Sequence, residues 1–551
     1  MLDYILERGR IIDAHHPEGY RADIALSGDR IVRIGDLKDL KAKRRIDLEG
    51  MVVSPGFIDS HSHSDQTLLI DPMAESKIRQ GVTTEIIGNC GSSAAPFIFH
   101  SQAEQDFRGL YLDKNWETIG SYFEQVLELG VAVNLMSLVG HNNLRGSVMG
   151  LKFKEAEAGE INAMQRMLSR ALEEGGIGLS TGLIYPPGSF STTSELVHLS
   201  RCLGRYGGLY VTHLRGEGED LLNSLAEAIE IGFAAGVPVH ISHHKVLGSR
   251  SWGQSEKTLA MMQEARDQGL DISCDLYPYQ ASSTTLIHLL PPWTLEGGFR
   301  RLRERLQNPE IKALIKRDIE KGLPHWESAL RSVQWNDIIV SYSRNRSEYE
   351  GRSIFNLARM QEEDPYQFFF DLILADRGES TVVIFEIEEN DIKTILRDEY
   401  TMIGSDGYAL SHRGSLLQGR PHPRSFSTFP RVLEKYVREL NLLSLGEAIK
   451  RMTYLPAQRF GLRERGLVKE GYYADLVVFD PELIAERSTY LSPCKYPEGI
   501  EYVFVNGGLV LDQGNHTGCL QGRVIRRKNP SKLLRLLPGE NYQALAAGGE
   551  E

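Results

Sequence analysis

Eight short apolar runs, each ending in polar residues and followed by a segment of helical period, constrain the fold of this chain most strongly. The runs cover residues 52–58, 84–87, 131–139, 177–179, 209–211, 237–241, 270–272 and 402–403. Eight strands that alternate with helices are the number needed for a closed parallel barrel, whose active site lies at the carboxyl ends of its strands. We therefore predict an α/β protein built on a (β/α)8 TIM barrel at residues 56–445, with a functional site where the runs end.

The two ends of the chain share a different pattern of short, partly alternating apolar runs between glycines and charged residues. These runs cover residues 4–6, 22–26, 31–34, 475–479 and 502–505. Such runs are typical of small antiparallel strands, and Asn506-Gly507 after the last one is a hairpin signal. We predict a small β-sandwich domain formed jointly by residues 1–55 and 446–551.

The interval between the seventh and eighth runs breaks the regular spacing. It contains Pro291-Pro292-Trp293 and a strongly charged stretch at 299–321. Loops of this length without secondary structure are rare in compact domains. We therefore predict a structured insertion, with residues 290–345 covering the barrel mouth as a lid.

Charge and cysteine usage narrow the class of partner and the compartment. The chain has 62 Lys and Arg against 74 Asp and Glu, a formal net charge of -12, which argues against a nucleic-acid partner. No stretch approaches the roughly 20 apolar residues that span a bilayer. The 5 scattered cysteines do not resemble a disulfide framework. We expect a cytoplasmic protein without a membrane partner, and the sequence leaves its oligomeric state open.

The segment Asp59-Ser60-His61-Ser62-His63 follows the first run. In an extended chain residues two apart face the same side, so Asp59, His61 and His63 would point together into the barrel mouth. Two imidazoles aimed at one point suit a borderline metal such as zinc. On this pattern alone, two exposed histidines or two histidines satisfied within the core are the more common explanation.

The ends of four other runs supply further candidate ligands. They are Cys90, the first or second histidine of His243-His244, His213 and Asp406. Adjacent residues of an extended chain face opposite sides, so only one of the paired histidines can face a metal. Packing alone does not explain a thiolate, imidazoles and a carboxylate at the same end of one barrel. The sequence therefore predicts a metal site at the barrel mouth.

These motifs resemble the amidohydrolase superfamily and, within it, the N-acyl-D-amino-acid deacylases. The resemblance rests on residues 87–91, 180–185, 212–215, 241–245, 275–279, 282–284, 404–407, 420–424, 452–457 and 471–476. It covers nearly the whole chain. The pattern Ser-His-x-Lys of the resembling family selects His243 rather than His244 as the ligand.

The resemblance implies that Cys90, His213 and His243 bind one tight zinc ion, and that the two histidines of the first motif form a second, weaker position with Asp406. Many amidohydrolases bridge two metals with a carboxylated lysine on the fourth strand. The fourth run, residues 178–183, contains no lysine, and the resemblance implies that the thiolate takes the bridging or anchoring role instead. Asp406 is expected to take the proton of the attacking water and to deliver it to the leaving amine.

The resemblance also implies hydrolysis of N-acyl-D-amino acids, small-molecule substrates that carry a free α-carboxylate beside the scissile amide. A carboxylate needs fixed donors. Candidate donors near the mouth are Lys245, Tyr277, Ser283 and Arg215. Arg215 also has an ordinary explanation, as a partner of Glu217, and Lys245 could simply be solvated.

Two other functions stay open at this point. A cyclic-amide hydrolase of the hydantoinase or dihydroorotase type would share the barrel and the His-x-His motif, although the missing lysine and Cys90 count against it. A non-catalytic barrel that serves in binding would be expected to have lost ligands, whereas this chain keeps all of them.

Overall fold

The computed structural model describes residues 1–97, 110, 112 and 114–527. Its centre is a ring of parallel strands, numbered here from first to eighth in chain order. They are Phe57–Asp59, Val82–Ile87, Asn134–Ser137 with Val139–Gly140, Gly178–Gly182, Leu209–His213, Val239–Ile241, Ile272–Leu276 and Thr401–Ile403. Strands that are neighbours in this order pair in parallel. The predicted α/β barrel is confirmed.

The ring closes between its eighth and first strands. The amide of Ser60 donates to the carbonyl of Ile403 at 3.4 Å, and a parallel bridge joins Ser62 to Gly407. Closure leaves the strands no free edge and brings the polar residues that follow them to one mouth.

The first apolar run, residues 52–58, contributes to two sheets. Val52–Pro55 pairs within the sandwich, whereas Phe57–Asp59 is the first barrel strand. The chain passes between them at Gly56, where an added Cβ would lie 2.2 Å from the side chain of Thr83. A single run therefore becomes two strands because only glycine fits at the crossing.

Helices cover the outside of the barrel. They are Thr67–Ile70, Glu75–Ile78, Ile119–Leu129, His141–Met149, Ala158–Glu173, Thr193–Ser200, Leu221–Ala235, Ser255–Asp267, Glu389–Arg397, Arg424–Arg431, Leu445–Met452 and Tyr454–Phe460, with a π-helix at Val432–Glu439. Their apolar stripes, including Phe123, Leu168 and Leu225, are buried in the main core with the strands. Within the described ranges, no helix has the length and apolarity needed to cross a bilayer.

Strands from both ends of the chain form a β-sandwich of two sheets, as predicted. The four-stranded sheet has the order Arg30–Gly35, Asp23–Ser27, Leu2–Glu7, Ala42–Asp47. The seven-stranded sheet has the order Asn515–His516, Gly508–Asp512, Ile500–Val505, Leu476–Phe479, Val52–Pro55, Arg10–Asp13, His16–Arg21. Leu6, Leu26, Val478 and Phe504 belong to the core between the sheets.

The carboxyl-terminal strands of the sandwich begin only at Leu476, later than the predicted boundary at residue 446. Leu445–Met452 and Tyr454–Phe460 are helices instead. Ala448, Ile449 and Met452 recur at helical spacing and are buried, so these residues complete the helical layer of the barrel. The part of the predicted domain after residue 527 lies outside the described residues.

The insertion between the seventh and eighth strands has its own sheet and core, and its ordered elements extend beyond the predicted 290–345 on both sides. The antiparallel strands have the order Ala281–Thr285, Thr381–Phe385, Ile338–Tyr342. Its helices are Gly298–Gln307, Pro309–Lys321, Ile354–Met360 and Pro365–Ala375. Leu302, Phe369 and Val382 are among the residues of a separate buried cluster.

The insertion contacts the loops that follow the barrel strands. Glu327 accepts from the amide of Gly218, after the fifth strand, at 2.9 Å. The amide of Gly248, after the sixth strand, donates to the carbonyl of Glu386 at 2.8 Å. The insertion therefore packs at the carboxyl-terminal face of the barrel, and its action as a lid stays a prediction.

Candidate metal centre

The predicted ligands converge at the barrel mouth in two overlapping groups. One group is His61, His63, Cys90 and Asp406, and the other is Cys90, His213 and His243. Within each group the ligand atoms lie within 4.8 Å of one another. Cys90 belongs to both groups, so a single thiolate lies between two possible metal positions.

Short distances join the two groups into one centre. The Sγ atom of Cys90 is 3.3 Å from Nε2 of His61 and 3.3 Å from Nε2 of His243. The Nε2 atom of His63 is 2.9 Å from Oδ1 of Asp406. Residues from the first, second, sixth and eighth strand ends therefore meet within a few ångströms.

Three of the ligands hold the left-handed backbone conformation that non-glycine residues seldom adopt. The φ angles are 51° at Cys90, 34° at His243 and 49° at Asp406. Each such residue costs on the order of 1–3 kcal/mol, and such residues cluster at functional sites. The strained backbone lowers the stability of the fold, but it directs these side chains to one point.

Buried hydrogen bonds hold the strained ligands in place. The amide of His243 donates to Oδ1 of Asp275 at 2.8 Å, and the amide of Asp406 donates to the carbonyl of His61 at 2.8 Å. The sequence analysis assigned no role to Asp275. Its position two residues before Tyr277, at the end of the seventh strand, was the available signal.

Asp59 supports the backbone of the ligand loops rather than a histidine ring. Its carboxylate accepts from the amide of Ser405 at 2.8 Å, from the hydroxyl of Ser405 at 2.6 Å and from Nζ of Lys77 at 2.6 Å. Asp59 ties the end of the first strand to that of the eighth, because Lys77 and Ser405 occupy its lone pairs.

Glu217, which the sequence analysis did not assign to the centre, lies beneath two of the ligands. Its carboxylate oxygens are 3.3 Å from Nε2 of His213 and 3.2 Å from Nδ1 of His243. Burial would raise the pKa of Glu217, but His213 and Lys245 hold it well below its usual range. An ionised carboxylate at this place orients the imidazoles. Glu217 could not be predicted from the sequence, because it lies in a loop, where no periodic pattern indicates which residues turn back toward the site.

The donor set fits a zinc ion. Burial would raise the pKa of the Cys90 thiol, but His61 and His243 hold that pKa well below its usual range, so the thiolate that ligates metal is favoured. The Nδ1 atom of His213 is buried without a hydrogen-bond partner in the described part of the chain. Thiolate with imidazole is a donor set that suits zinc better than magnesium or manganese.

The end of the fourth strand lies against the backbone of Cys90. An added Cβ at Gly182 would lie 2.1 Å from the carbonyl oxygen of Cys90. The Cys90 loop thus packs directly on the fourth strand, and the thiolate occupies the space between the ligand groups.

Two of the predicted substrate-binding residues line the centre. The ring of Tyr277 is 6.5 Å from the ring of His243, and its buried hydroxyl has no hydrogen-bond partner within the described ranges. Lys245 is buried beside the centre, where its Nζ donates to Glu217 at 2.7 Å and to the carbonyl of His243 at 3.0 Å. Its ammonium is therefore engaged by the protein rather than solvated. The half-buried Ser283 donates to the carbonyl of Val382 at 2.9 Å.

The structure does not bring Arg215 to the centre. Its guanidinium makes two hydrogen bonds to Glu227, at 2.9 Å each, and donates to the carbonyls of Ser189 and Ser191. Glu217, the partner suggested by the sequence, is not among these contacts. Arg215 instead holds the loop after the fourth strand, because these acceptors use the donors of its fork.

Arg424 is a cation at the centre that the sequence analysis did not select, although it lies in the quoted 420–424 stretch. Its Nη1 is 2.8 Å from Oδ2 of Asp406, and its guanidinium carbon lies 4.6 Å from the centre of the Tyr277 ring. Burial would raise the pKa of Asp406, but Arg424 and His243 hold it well below its usual range. Asp406 is therefore ionised and able to accept a proton at neutral pH.

Sequence comparison shows that this chain is similar to enzymes of known activity. Residues 44–511 match the model of an amidohydrolase family. A D-aminoacylase of Alcaligenes xylosoxydans xylosoxydans is 37% identical over 526 residues, which cover 95% of this chain and 98% of the relative. An N-acyl-D-glutamate deacylase of the same organism is 35% identical over 528 residues, with 96% and 97% covered.

A solved structure of a deacylase is also similar to this chain along nearly its whole length. The N-acyl-D-glutamate deacylase from Bordetella bronchiseptica, in complex with zinc and a phosphonate that mimics the tetrahedral intermediate, matches with a TM-score of 0.81 at 34% identity. The match covers 95% of this chain and 99% of that chain.

Replacing Cys90 with alanine should remove the tightly held metal, because both ligand groups lose their shared thiolate. The measurement is zinc per chain by elemental analysis after dialysis. Cys274→Ala is the matched control, since Cys274 is also buried but lies against Thr401, away from the ligand groups. Full zinc content in Cys90→Ala would contradict the assignment.

Proposed function

Because this chain belongs to the amidohydrolase family, we propose that it hydrolyses the amide bond of N-acyl-D-amino acids to a carboxylate and a free D-amino acid. The observation that carries the proposal is the position of Cys90 between two histidine-containing ligand groups, beside a fourth strand without lysine. The named activities of its full-length relatives agree with this chemistry.

Cys90, His213 and His243 would hold the tighter zinc ion, and His61, His63 and Asp406 would form the weaker position around the same thiolate. When bound, zinc supplies Lewis-acid activation of water and of the amide carbonyl. A thiolate ligand must stay reduced, which suits a cytoplasmic setting. All five cysteines lie in the described part of the chain, and none of them forms a disulfide there.

Asp406 moves the proton. Its carboxylate is ionised and is held by His63 and Arg424. It accepts the proton of the attacking water and then delivers that proton to the departing amine nitrogen, which leaves as a neutral group. Its left-handed backbone and buried contacts fix the carboxylate before substrate arrives.

Arg424 and the free hydroxyl of Tyr277 supply donors for the α-carboxylate of the substrate. They lie on the Asp406 side of the centre, with the guanidinium over the Tyr277 ring. An arginine fork matches a carboxylate in shape and charge. Ser283 can join them if its hydroxyl turns from Val382, whereas Lys245 remains bound to Glu217.

The competing functions have less support. A cyclic-amide hydrolase of the lysine-bridged type would need a lysine on the fourth strand, and residues 178–183 contain none. A non-catalytic protein has no need for strained, fully assembled ligands with an ionised carboxylate beside them.

A substrate comparison tests the proposal directly. The zinc-loaded protein should hydrolyse N-acetyl-D-leucine, but hydrolyse N-acetyl-L-leucine, hydantoin and N-acetyl-D-leucinamide far more slowly, because the amide lacks the carboxylate that Arg424 binds. Release of the free amine is measured for the three acetylated compounds, and ring opening to the N-carbamoyl acid is measured for hydantoin. Preferential turnover of hydantoin would favour the cyclic-amide alternative, and equal rates for acid and amide would show that no carboxylate is recognised.

Asp406→Asn should fold and retain the zinc held by Cys90, His213 and His243, because the carboxamide is nearly isosteric. Its kcat should fall at least about 100-fold, since the proton acceptor is lost. The assay is steady-state hydrolysis with zinc content measured on the same sample. Near-normal turnover in a zinc-replete variant would rule out the role of Asp406.

A further inference from the structure

A carboxylate of the insertion, Glu386, lies buried beside the metal centre with one oxygen unused. It follows the strand Thr381–Phe385 and is 3% exposed. The hydroxyl of Ser282 donates to its Oε1 atom. Its Oε2 atom has no hydrogen-bond partner in the described part of the chain. A buried acceptor without a partner is costly, so this oxygen is suited to a donor that arrives from outside.

The backbone fixes Glu386 next to the sixth strand end. The amide of Gly248 donates to the Glu386 carbonyl at 2.8 Å, and a bridge joins Leu247 to the next residue, Ile387. These contacts begin two residues after Lys245, whose ammonium lies against His243. Glu386 therefore borders the centre on the insertion side.

The two sides of the centre differ in net charge. On the insertion side, Glu386 interacts electrostatically with Lys245, Glu217 and Glu327. Burial raises the pKa of Glu386 to about 7, so above that pH this side has three carboxylates against one ammonium, and Lys245 already donates to Glu217 at 2.7 Å. The other side has Arg424 beside Asp406. A substrate whose α-carboxylate lies at Arg424 would meet an excess of negative charge at Glu386.

We propose that Glu386 reads the substrate side chain, accepting a hydrogen bond from an N–H donor and disfavouring a second carboxylate. The inference deepens the proposed function and rests on it. The substrates are then N-acyl-D-amino acids with amide or ammonium side chains, rather than acidic ones. The ionised carboxylate, present above its pKa of about 7, leaves Oε2 as an acceptor, and a buried charged hydrogen bond changes affinity by at least about tenfold.

The test compares kcat/KM for the N-acetyl derivatives of D-lysine, D-glutamine, D-leucine and D-glutamate in wild type and Glu386→Gln. Wild type should prefer lysine and glutamine over glutamate by at least about tenfold. Glutamine keeps the shape of Glu386, removes its charge and adds a donor. The lysine-to-glutamate ratio should therefore fall at least about tenfold in the variant. Glu363→Gln, at an exposed position of the insertion, is the matched control and should keep the wild-type ratio.

Two results would overturn the inference. One is a wild-type preference for N-acetyl-D-glutamate, and the other is a Glu386→Gln variant that loses activity on all four substrates equally, as a merely structural residue would. If wild type turns over none of them, the proposed function fails but the inference is still decided. The four compounds are then used as ligands, and their dissociation constants are measured for wild type and Glu386→Gln. The inference predicts that the preference for the lysine over the glutamate derivative falls at least about tenfold in the variant, and an unchanged preference would overturn it.

Discussion

Closure of the barrel between its first and eighth strands is the constraint on which the metal centre depends. His63 and Asp406 lie far apart in the chain, yet closure brings Nε2 of one within 2.9 Å of Oδ1 of the other. The ammonium of Lys77, fully buried, holds the seam by donating to Asp59 at 2.6 Å and to Ser405 at 2.7 Å. Removing one partner of a buried ion pair leaves an uncompensated charge, so this seam strongly specifies a single register.

The centre is assembled by the fold rather than by local preference. Cys90, His243 and Asp406 hold backbone angles that their side chains disfavour, and buried hydrogen bonds and close packing against Gly182 keep them there. Such pre-organisation lets the ligands and the proton acceptor be in place before substrate binds. Glu217 and Asp275 are not candidate ligands, but they also help to pre-organise the centre, since each contacts more than one ligand residue.

The sequence predicted the barrel and the convergence of the candidate ligands because both follow from short-range rules. Alternating strands and helices identify the barrel, and residues after strand ends must meet at its mouth. The partners of long side chains could not be predicted, because they depend on tertiary packing. Arg215 pairs with Glu227, and Lys245 is held by Glu217. The extent of the insertion was underestimated because its outer strands, from Ala281 to Phe385, lack a periodic signal.

The most direct measurement of the central claim is anomalous X-ray diffraction at the zinc edge from crystals of the zinc-loaded protein. The account predicts the strongest peak about 2.3 Å from the Sγ atom of Cys90 and about 2.0–2.1 Å from a ring nitrogen of His213 and of His243. Any weaker second peak should lie beside His61, His63 and Asp406 and share the same sulfur. A strongest peak away from Cys90, or zinc coordinated at the mouth without the thiolate, would contradict the account.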